Sequence, residues 1–552
     1  MEPLDGEHAT SVCTSMSMVL LVFAFISIVL YLLVSHIRQS SQPHMKNSLS
    51  LPPGPPRLPI FGNFFNAPEI CFNWLTHYQW KYLYGPIVHY EKGGQSYIVL
   101  TTVEAAHDLL NKRASNYSGR TFSPYAGELV CNNYNILFLQ YETQFRLHQR
   151  LHAKGLNPRS VAPYHPLIEL ESLQLLNDLL SEIQEKSGEK QIGAAVNPHW
   201  HFRRAASSNV SMIAWGYRLL RGNPEHEAQI KFFDVAPTSV VLKTTQTWYD
   251  IFPWLKHLPY AISPWKRAAK VLFEREEAHY LGNFRSALER PGYNLSKQIA
   301  NSTDVSDAGM CETEQAWVVG TLTLANGDTS VATLCWFVVA MLTYPHVFGK
   351  VQDMIDKVVG HDRLPVFEDR EKLPYVDAMI EEVMRWRPIL PAGLDHAAVE
   401  EDEYKGYRIP AGATIIHSQW AITRDKEVYG ADCDDFRPER WIENEDLPRT
   451  AFGYGRRLCP GRHVGREGLW ILFARLIWAF RLEQTTDPVT LKKKVVDPMS
   501  MMPAGFVIGP NPFEALFIPR GPWVEALVHQ DLQSAEKNVG KIMEQVDTDK
   551  RL

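Results

Sequence analysis

The sequence predicts a mainly α-helical protein with a small β-rich lobe, preceded by one N-terminal transmembrane helix. Long stretches such as residues 166–184 repeat apolar side chains at helical spacing. Residues 85–102 instead alternate apolar and polar side chains around a Gly-Gly turn, as paired strands do. Ahead of both, residues 16–34 carry no charge, and this run is close to the ~20 residues that span a bilayer.

The N-terminal apolar run predicts a retained membrane anchor over residues 16–35. A cleaved signal peptide is the alternative, but it would begin with basic residues and have a shorter apolar region. Here the preceding residues are acidic, and Arg38 and Lys46 follow the run. Because positive residues stay on the cytosolic side, residues 1–15 are expected in the lumen and the rest of the chain in the cytosol.

After the anchor, residues 36–57 predict a proline-rich linker, because four of the five residues from 52 to 56 are proline. One large folded domain is expected over residues 58–520. Residues 521–552 are predicted to form a polar tail with a poorly ordered end. A further strand region is predicted within residues 404–422.

Residues 314–342 are apolar on nearly all sides and predict one unusually long helix. We interpret it as the buried central helix of the domain. A second membrane span is disfavoured, because Asn326, Gly327 and Asp328 interrupt its middle.

Composition excludes several classes of protein. The net charge is −6 with both signs mixed along the chain, and no basic block indicates nucleic-acid binding. The seven cysteines are odd in number, scattered and without a C-x-x-C pair. This pattern disfavours a disulfide framework and a structural zinc site, and it fits a reducing compartment.

One cysteine, Cys459, lies in the stretch AFGYGRRLCPGRHVG. A lone cysteine is most often a small buried hydrophobe. Here Gly455 and Gly461 allow the backbone to approach a flat partner, while Arg457 and a helix N-terminus that follows favour a thiolate. Such a thiolate is either a nucleophile, which needs a base such as His463, or a metal ligand. A flat dianionic macrocycle would account for the glycines and the arginines together.

This stretch resembles the haem-binding signature F-x-x-G-x-R-x-C-x-G of the cytochrome P450 family, at Phe452, Gly455, Arg457, Cys459 and Gly461. The resemblance implies that Cys459 is the axial ligand of the iron of haem b and that the other four residues help to bind the cofactor. It also implies the cytochrome P450 fold.

Further motifs resemble those of the family in the same order along the chain. Glu382 and Arg385 form E-x-x-R, and Arg440 lies in DFRPERW, where Trp441 stands in place of the usual phenylalanine. The resemblance implies that Glu382, Arg385 and Arg440 form a buried structural network. It further implies that His396 contacts a haem carboxylate.

Within the long central helix, ANGDTS resembles the family's A-G-x-D-T-T. Asp328 and Thr329 are therefore the predicted catalytic residues, because a carboxylate and a hydroxyl can relay protons. Asn326 replaces the more usual glycine.

One family motif is missing. The W-x-x-x-R contact with a haem carboxylate should fall near residue 145, but Phe145 and Gln149 occupy its two positions. His148 and Arg150 are the candidate substitutes.

The resemblance implies a monooxygenase that inserts one atom of dioxygen into a lipophilic small molecule. Electrons would come from NADPH through NADPH-cytochrome P450 reductase, and the protein would be a single-pass protein of the endoplasmic reticulum membrane. The motifs are similar to those of fungal secondary-metabolism members. A basic docking face is predicted at Arg456, Arg462 and Arg466, with a plain solvated face as the alternative.

By position in the family, four segments would form the substrate pocket, namely residues 122–130, 317–325, 389–394 and 502–507. Two other functions remain open. A peroxide isomerase or dehydratase on the same fold would need neither oxygen nor a reductase, and the pair Asp328 and Thr329 disfavours it. In a non-catalytic haem-binding membrane protein that pair would have no use.

Overall fold

The computed structural model describes residues 49–551, apart from 60, 70, 122, 188–192, 235–252, 488 and 504. The predicted anchor at residues 16–35 lies outside the described residues. The described chain is mainly helical with three small sheets, as the sequence predicts. Its α-helices are α1 Asn73–Tyr84, α2 Val103–Ala106, α3 Thr143–Leu156, α4 Pro158–Val161, α5 His165–Ser187, α6 His199–Trp215, α7 Pro224–Asp234, α8 Pro264–Glu289, α9 Leu295–Ala300, α10 Thr303–Ala308, α11 Glu312–Thr343, α12 Pro345–Val358, α13 Pro374–Trp386, α14 Gln419–Ile422, α15 Lys426–Tyr429, α16 Arg440–Glu443, α17 Arg462–Ala479, α18 Pro522–Ser534 and α19 Val539–Arg551.

The β-rich lobe is a four-stranded sheet in the order β1-β2-β7-β4, and two smaller sheets have the orders β3-β9-β8 and β5-β6. The strands are β1 Ile87–Lys92, β2 Gln95–Leu100, β3 Ala194–Val196, β4 His396–Ala397, β5 Asp402–Tyr404, β6 Tyr407–Ile409, β7 Thr414–His417, β8 Phe480–Gln484 and β9 Ala515–Pro519. An isolated bridge between Gly119 and Ala397 extends the edge of the larger sheet at β4. This bridge brings residues next to Gly119 close to His396.

Helix α11 is the centre of the domain. Acidic residues in its first turn favour its N-terminus, and the helix ends before Pro345, which begins α12. It is the one helix among the described residues that is long and apolar enough to cross a membrane, but its most apolar window is 72% buried inside the protein. It is therefore the predicted core helix. Its burial breaks midway, where Ala325 is exposed and Leu322 and Thr329 are half-buried. These three residues lie on one side of the helix that is not covered by other side chains, and we call this side the open face of α11.

The proline-rich segment is a folded part of the domain from residue 49 onward, which differs from the predicted linker. The N–H of His89 in β1 donates to the carbonyl oxygen of Pro53 at 2.9 Å. The amide of Asn63 donates to the carbonyl oxygens of Pro55 and Pro56, both at 3.1 Å. Proline has no N–H but keeps its carbonyl oxygen, so this segment binds the sheet edge as an acceptor.

The C-terminal segment also differs from the predicted polar tail, because it forms α18 and α19. Apolar residues at helical spacing, including Val524, Val528 and Met543, are buried in the main hydrophobic core. The N–H of Tyr293 donates to the carbonyl oxygen of Met543 at 3.1 Å. The sequence did not predict these helices because residues 521–552 are mostly polar. A narrow apolar stripe needs only one apolar residue per helical turn.

Candidate functional site

Cys459 lies on a loop that closes onto the start of α17. Its N–H donates to the carbonyl oxygen of Phe452 at 2.9 Å, which folds the segment between them into a closed loop. Gly461 ends the loop and precedes the first residue of α17, as predicted. The backbone N–H groups of Gly461 and Arg462 lie near the sulfur and lower the pKa of the Cys459 thiol. The free N–H groups of a helix start are thus directed at the sulfur.

The surroundings of the sulfur shift the pKa of the Cys459 thiol in opposite directions. Burial raises the pKa of the Cys459 thiol, while the N–H of Gly461 and the charge of Arg462 lower it. Arg457, which the sequence predicted to supply that charge, points elsewhere. Its guanidinium donates to the carbonyl oxygens of Ser118 at 2.8 Å and Leu139 at 2.7 Å. Arg462, which the sequence analysis placed only on a docking face, takes the role.

A glycine is required at position 455 because a larger side chain would overlap a neighbouring part of the protein. Its backbone has φ +53°, and an added Cβ would lie 2.1 Å from the carbonyl oxygen of Leu110. Its N–H donates to the side chain of Asn111 at 2.7 Å. The predicted role of this glycine is clearance for a flat partner, and the structure shows that it also clears the helical turn His107–Lys112. Gly461 differs, because an added Cβ there would meet only the Cys459 sulfur, at 4.0 Å.

We expect Gly455→Ala to lower the free energy of unfolding by about 3 kcal/mol, because the methyl group overlaps a backbone oxygen that cannot rotate away. Gly453→Ala is the matched control, because Gly453 has φ +84° with nothing within 4 Å of an added Cβ. That control should lose only about 1 kcal/mol, the cost of left-handed backbone for alanine. Denaturant unfolding of both variants measures the difference, and equal losses would contradict the steric explanation.

A second part of the site is a cluster of the buried residues Arg120 and His396 with the half-buried Arg457. Burial and the neighbouring charge of Arg120 lower the pKa of Arg457 to about 8. Burial likewise lowers the pKa of Arg120 to about 10, although Asp395 opposes the shift. The pKa of His396 is lowered well below its usual value by burial and then by Arg120, so the ring is neutral and its Nδ1 donates to the carbonyl oxygen of Tyr117 at 2.7 Å.

Sequence reasoning missed Arg120. The bridge between Gly119 and Ala397 places it beside His396, and a pairing across that sequence distance leaves no local motif. In the described part of the chain, Nη1 of Arg457 is buried and has no hydrogen-bond partner. Two neighbouring like charges and a buried donor without a partner among the described residues indicate a place for an anionic group.

The positions of the missing W-x-x-x-R motif have other uses here. The Phe145 ring packs under the guanidinium of Arg457, with 3.9 Å between its centroid and Cζ. The amide of Gln149 donates to the carbonyl oxygen of Arg456 at 3.0 Å, on the Cys459 loop. Of the candidate substitutes, His148 binds Glu314 at 2.8 Å, and Arg150 pairs with Asp304 at 3.6 Å. Helix α3 therefore supports the loop and Arg457 through Phe145 and Gln149.

The middle of α11 faces the start of α17. Asn326 and Ser330 of α11 line a small cavity together with Val464 and Gly465 of α17, just beyond Cys459. On the same stretch, Thr329 Oγ1 donates to the carbonyl oxygen of Ala325 at 2.8 Å. The structure thus brings the predicted catalytic stretch and the cysteine loop to the same interior region.

Asp328 is not free on this stretch, because its Oδ1 lies 2.6 Å from Nη1 of Arg203 on α6. The Asp328 side chain is 28% exposed and that of Arg203 only 7%. The roles of Asp328 and Thr329 in proton transfer stay predictions.

Glu382, Arg385 and Arg440 lie together in the core, all at most 3% exposed. Arg385 donates to both carboxylate oxygens of Glu382 at 2.8 Å, and Arg440 Nε donates to Oε1 at 3.1 Å. The indole N–H of Trp441 adds a bond to Oε2 at 2.9 Å. The residue that departs from the family pattern therefore supplies a donor that phenylalanine lacks.

Comparison with known proteins agrees with this architecture. The family model described as Cytochrome P450 matches residues 52–517. Cytochrome P450 monooxygenase FrzL of Cladobotryum sp is 33% identical over 91% of this chain and 94% of its own length. Cytochrome P450 monooxygenase peniB of Penicillium patulum is 34% identical over 91% and 90%, and cytochrome P450 monooxygenase drtD of Aspergillus calidoustus is 35% identical over 90% and 91%. The chain belongs to the cytochrome P450 family and is a monooxygenase, an oxidoreductase enzyme.

The family implies haem iron as the cofactor, and the residues present fit that group. The Cys459 sulfur, with two N–H groups near it, has the chemistry of a soft axial ligand. The partner-free Nη1 of Arg457, with Arg120 and His396 beside it, matches the carboxylates of the macrocycle. The open face of α11 at Ala325 and Thr329 leaves the remaining side of a flat group accessible.

Proposed function

We propose that this enzyme holds haem b through Cys459 and inserts one atom of dioxygen into a lipophilic small molecule. One observation carries the proposal: the half-buried Cys459 lies at the start of α17 on the same loop as Arg457, which neighbours the buried Arg120 and whose Nη1 has no partner among the described residues. A simple nucleophile would need an adjacent base and would have no use for that arginine cluster. Bound haem supplies the activation of dioxygen.

The chain's own residues would bind and orient the cofactor and deliver protons to the site. Arg457, Arg120 and His396 would hold the cofactor's carboxylates, and Phe452 and Gly461 would shape the loop around the Cys459 ligand. Thr329 and Asp328 move protons on the opposite side, where α11 opens. Because reductive splitting of dioxygen consumes protons, a carboxylate and a hydroxyl at this opening have a direct chemical use.

We also propose a lipophilic substrate in a pocket above α11. Residues 124–130, 317–325, 389–394 and 502–507 supply its walls, while Phe122 and Ala504 lie outside the described residues. Leu322, Ile389 and Val507 are half-buried apolar residues of these segments. A pocket lined by such residues would exclude water and favour lipophilic ligands. The motif similarity to fungal members supports a role in secondary metabolism.

The proposed electron donor is NADPH-cytochrome P450 reductase, with NADPH as the source of electrons. Exposed arginines surround the outer side of the cysteine loop: Arg456 is exposed on the loop, and Arg146 and Arg150 are exposed one turn apart on α3. Gln149 joins these two elements. A positive surface that close to the cofactor suits an acidic redox partner. Of the residues first predicted for this face, Arg466 is paired with Glu381 at 2.6 Å and contributes less.

We expect Arg146→Glu to raise the reductase concentration needed for half-maximal turnover about fivefold at low salt, because reversed charge slows association. Arg481→Glu, on β8 and 61% exposed, is the control and should change it little. Turnover measured against reductase concentration at two salt concentrations checks this. If both variants changed the required reductase concentration equally, α3 would not be part of the docking surface.

For the whole chain we propose residues 1–15 in the lumen, an anchor at residues 16–35 and a cytosolic catalytic domain on the endoplasmic reticulum membrane. The support is the charge-free run and the basic residues after it.

The test of function is to incubate the full chain in membranes with reductase, NADPH and a fungal metabolite extract. Products heavier by one oxygen atom are expected, and reduced protein treated with carbon monoxide should show the shifted Soret band of a thiolate-bound haem. A product that forms equally well without NADPH and reductase would favour the isomerase instead. Haem without any turnover would favour the non-catalytic haem protein.

A further inference from the structure

Helices α6 and α11 are joined by polar contacts next to the open face of α11. We call this set of contacts, made by Arg203 and Ala206 of α6 with Asp328 and Asn326 of α11, the polar seam. Arg203 of α6 reaches Asp328, and Asn326 of α11 donates to the carbonyl oxygen of Ala206 at 2.8 Å. Because the residue numbers rise on one helix as they fall on the other, the two helices run antiparallel. Both contacts lie within one turn of Thr329. Most of the rest of this interface is apolar, so a seam with side chains crossing in both directions is unusual for core packing.

Gly327 makes room for this arrangement. A Cβ added at Gly327 would lie 3.3 Å from Nη1 of Arg203 and 3.8 Å from Oγ of Ser207. A larger side chain there would press on both groups. The change from the family's A-G-x-D to Ala325-Asn326-Gly327-Asp328 thus moves the glycine to the position over which Arg203 lies.

Two further polar groups of the seam have no protein partner among the described residues. They are Oγ of Ser207, which is fully buried, and Oδ1 of Asn209, which is on the wall of the small cavity shared with Asn326 and Ser330. Buried polar groups of this kind are normally satisfied by ordered water. Water held there would lie between the cavity and the Arg203–Asp328 pair.

We propose that Arg203 and Ser207 form a proton-supply seam that positions the carboxylate of Asp328 and feeds it with protons from buried water. This inference rests on the proposed role of Asp328 in proton delivery. Arg203 is a positioning residue, because it acts through Asp328. Each transfer moves one proton and no electron, and the proton that Asp328 passes on is replaced by seam water in exchange with solvent.

The hydroxyl of Thr329 supports the need for such a supply. Its proton is donated to the carbonyl oxygen of Ala325, which leaves the hydroxyl oxygen as an acceptor that can receive a proton. Asp328 is the neighbouring residue, and Arg203 fixes its orientation with a short charge-assisted bond. Without that bond, Arg203 would no longer hold the orientation of this carboxylate, whose side chain is 28% exposed.

The test compares Arg203→Gln, Arg203→Lys and Ser207→Ala with Ser211→Ala in the full chain, with reductase, NADPH and the same metabolite extract. We expect Arg203→Gln and Ser207→Ala to lower the product formed per NADPH at least about fivefold and to raise the solvent deuterium isotope effect, because one relay step is impaired. Arg203→Lys should recover part of the loss. Ser211→Ala, one turn further along α6, should match the unmodified protein.

A second readout does not depend on turnover. Removing the partner-free hydroxyl in Ser207→Ala should leave the unfolding midpoint unchanged or raise it, so a loss of coupling in that variant is not a loss of fold. If Arg203→Gln does not fold, Ser207→Ala carries the test. Unchanged product per NADPH and unchanged isotope effect in folded Ser207→Ala would overturn the proposal while product formation by the unmodified protein still stands. Absence of the thiolate Soret band or of product in the unmodified protein would instead overturn the proposed function.

Discussion

The reduced, carbon-monoxide-treated Cys459→Ser variant is expected to lack the shifted Soret band, and its NADPH-dependent turnover should fall to background. The band depends on a thiolate ligand, and serine offers a hydroxyl that does not deprotonate at neutral pH. The substitution is nearly isosteric, so the two N–H groups at the start of α17 can donate to the serine oxygen. Loss of the signal would therefore report the ligand atom and not a collapsed loop. Absorption spectroscopy and product analysis of the membrane-bound protein measure both effects.

Cys433→Ser is the control for this experiment. Cys433 is also buried, and its sulfur lies 3.7 Å from the carbonyl oxygen of Arg424, to which a serine hydroxyl can donate as well. That variant should keep the Soret band and the turnover of the unmodified protein. A Cys459→Ser protein with an unchanged spectrum would show that another group binds the iron, and the proposed function would then lose its central observation.

Local sequence patterns predicted the parts of the site that lie close together in the chain. The cysteine loop is closed by a bond between residues seven positions apart, Phe452 and Cys459, and the helix that follows begins where glycine and charge pattern indicate. The central helix α11 was predictable because its apolar run is long and its polar interruption is short. Such features depend on neighbours in sequence, which a single chain displays directly.

Contacts between distant segments were not predictable in the same way. Arg120 joins the site through a bridge between Gly119 and Ala397, and Arg203 reaches Asp328 from another helix. Neither arginine stands in a motif, and the chain contains many arginines. Gly455 is a further example, because the Leu110 carbonyl oxygen also excludes a side chain there, and only the folded packing of the lobe places that oxygen nearby. The role of each of these residues depends on which distant segment packs against it in the folded chain. The spacing of residues along the sequence does not show that packing.

The largest expected effect on stability is that of Glu382→Gln, which should lower the free energy of unfolding by about 3–5 kcal/mol. Glu382 is fully buried and accepts bonds from Arg385, Arg440, Trp441 and the N–H of Arg437. An amide removes the negative charge that both guanidiniums share and directs an N–H₂ group at donors. Arg385 would stay buried without a counter-charge, since it also donates to the carbonyl oxygens of residues 423, 433 and 435. Arg440 would keep only Asp432, whose Oδ1 lies 3.2 Å from its Nη1.

Trp441→Phe removes one of these donors and leaves both ion pairs in place. It should therefore cost about 1.5 kcal/mol, the range for one hydrogen bond to a charged acceptor. Denaturant unfolding followed by tryptophan fluorescence and by the haem absorption band separates the two variants. Glu382 of α13 binds α16 through Arg440, and the segment after α16 leads into the cysteine loop, so Glu382→Gln should lose haem at lower denaturant concentration than Trp441→Phe does. If the two variants unfold at the same concentration, the buried charge is not what holds this region, and the indole bond and apolar packing must account for its stability.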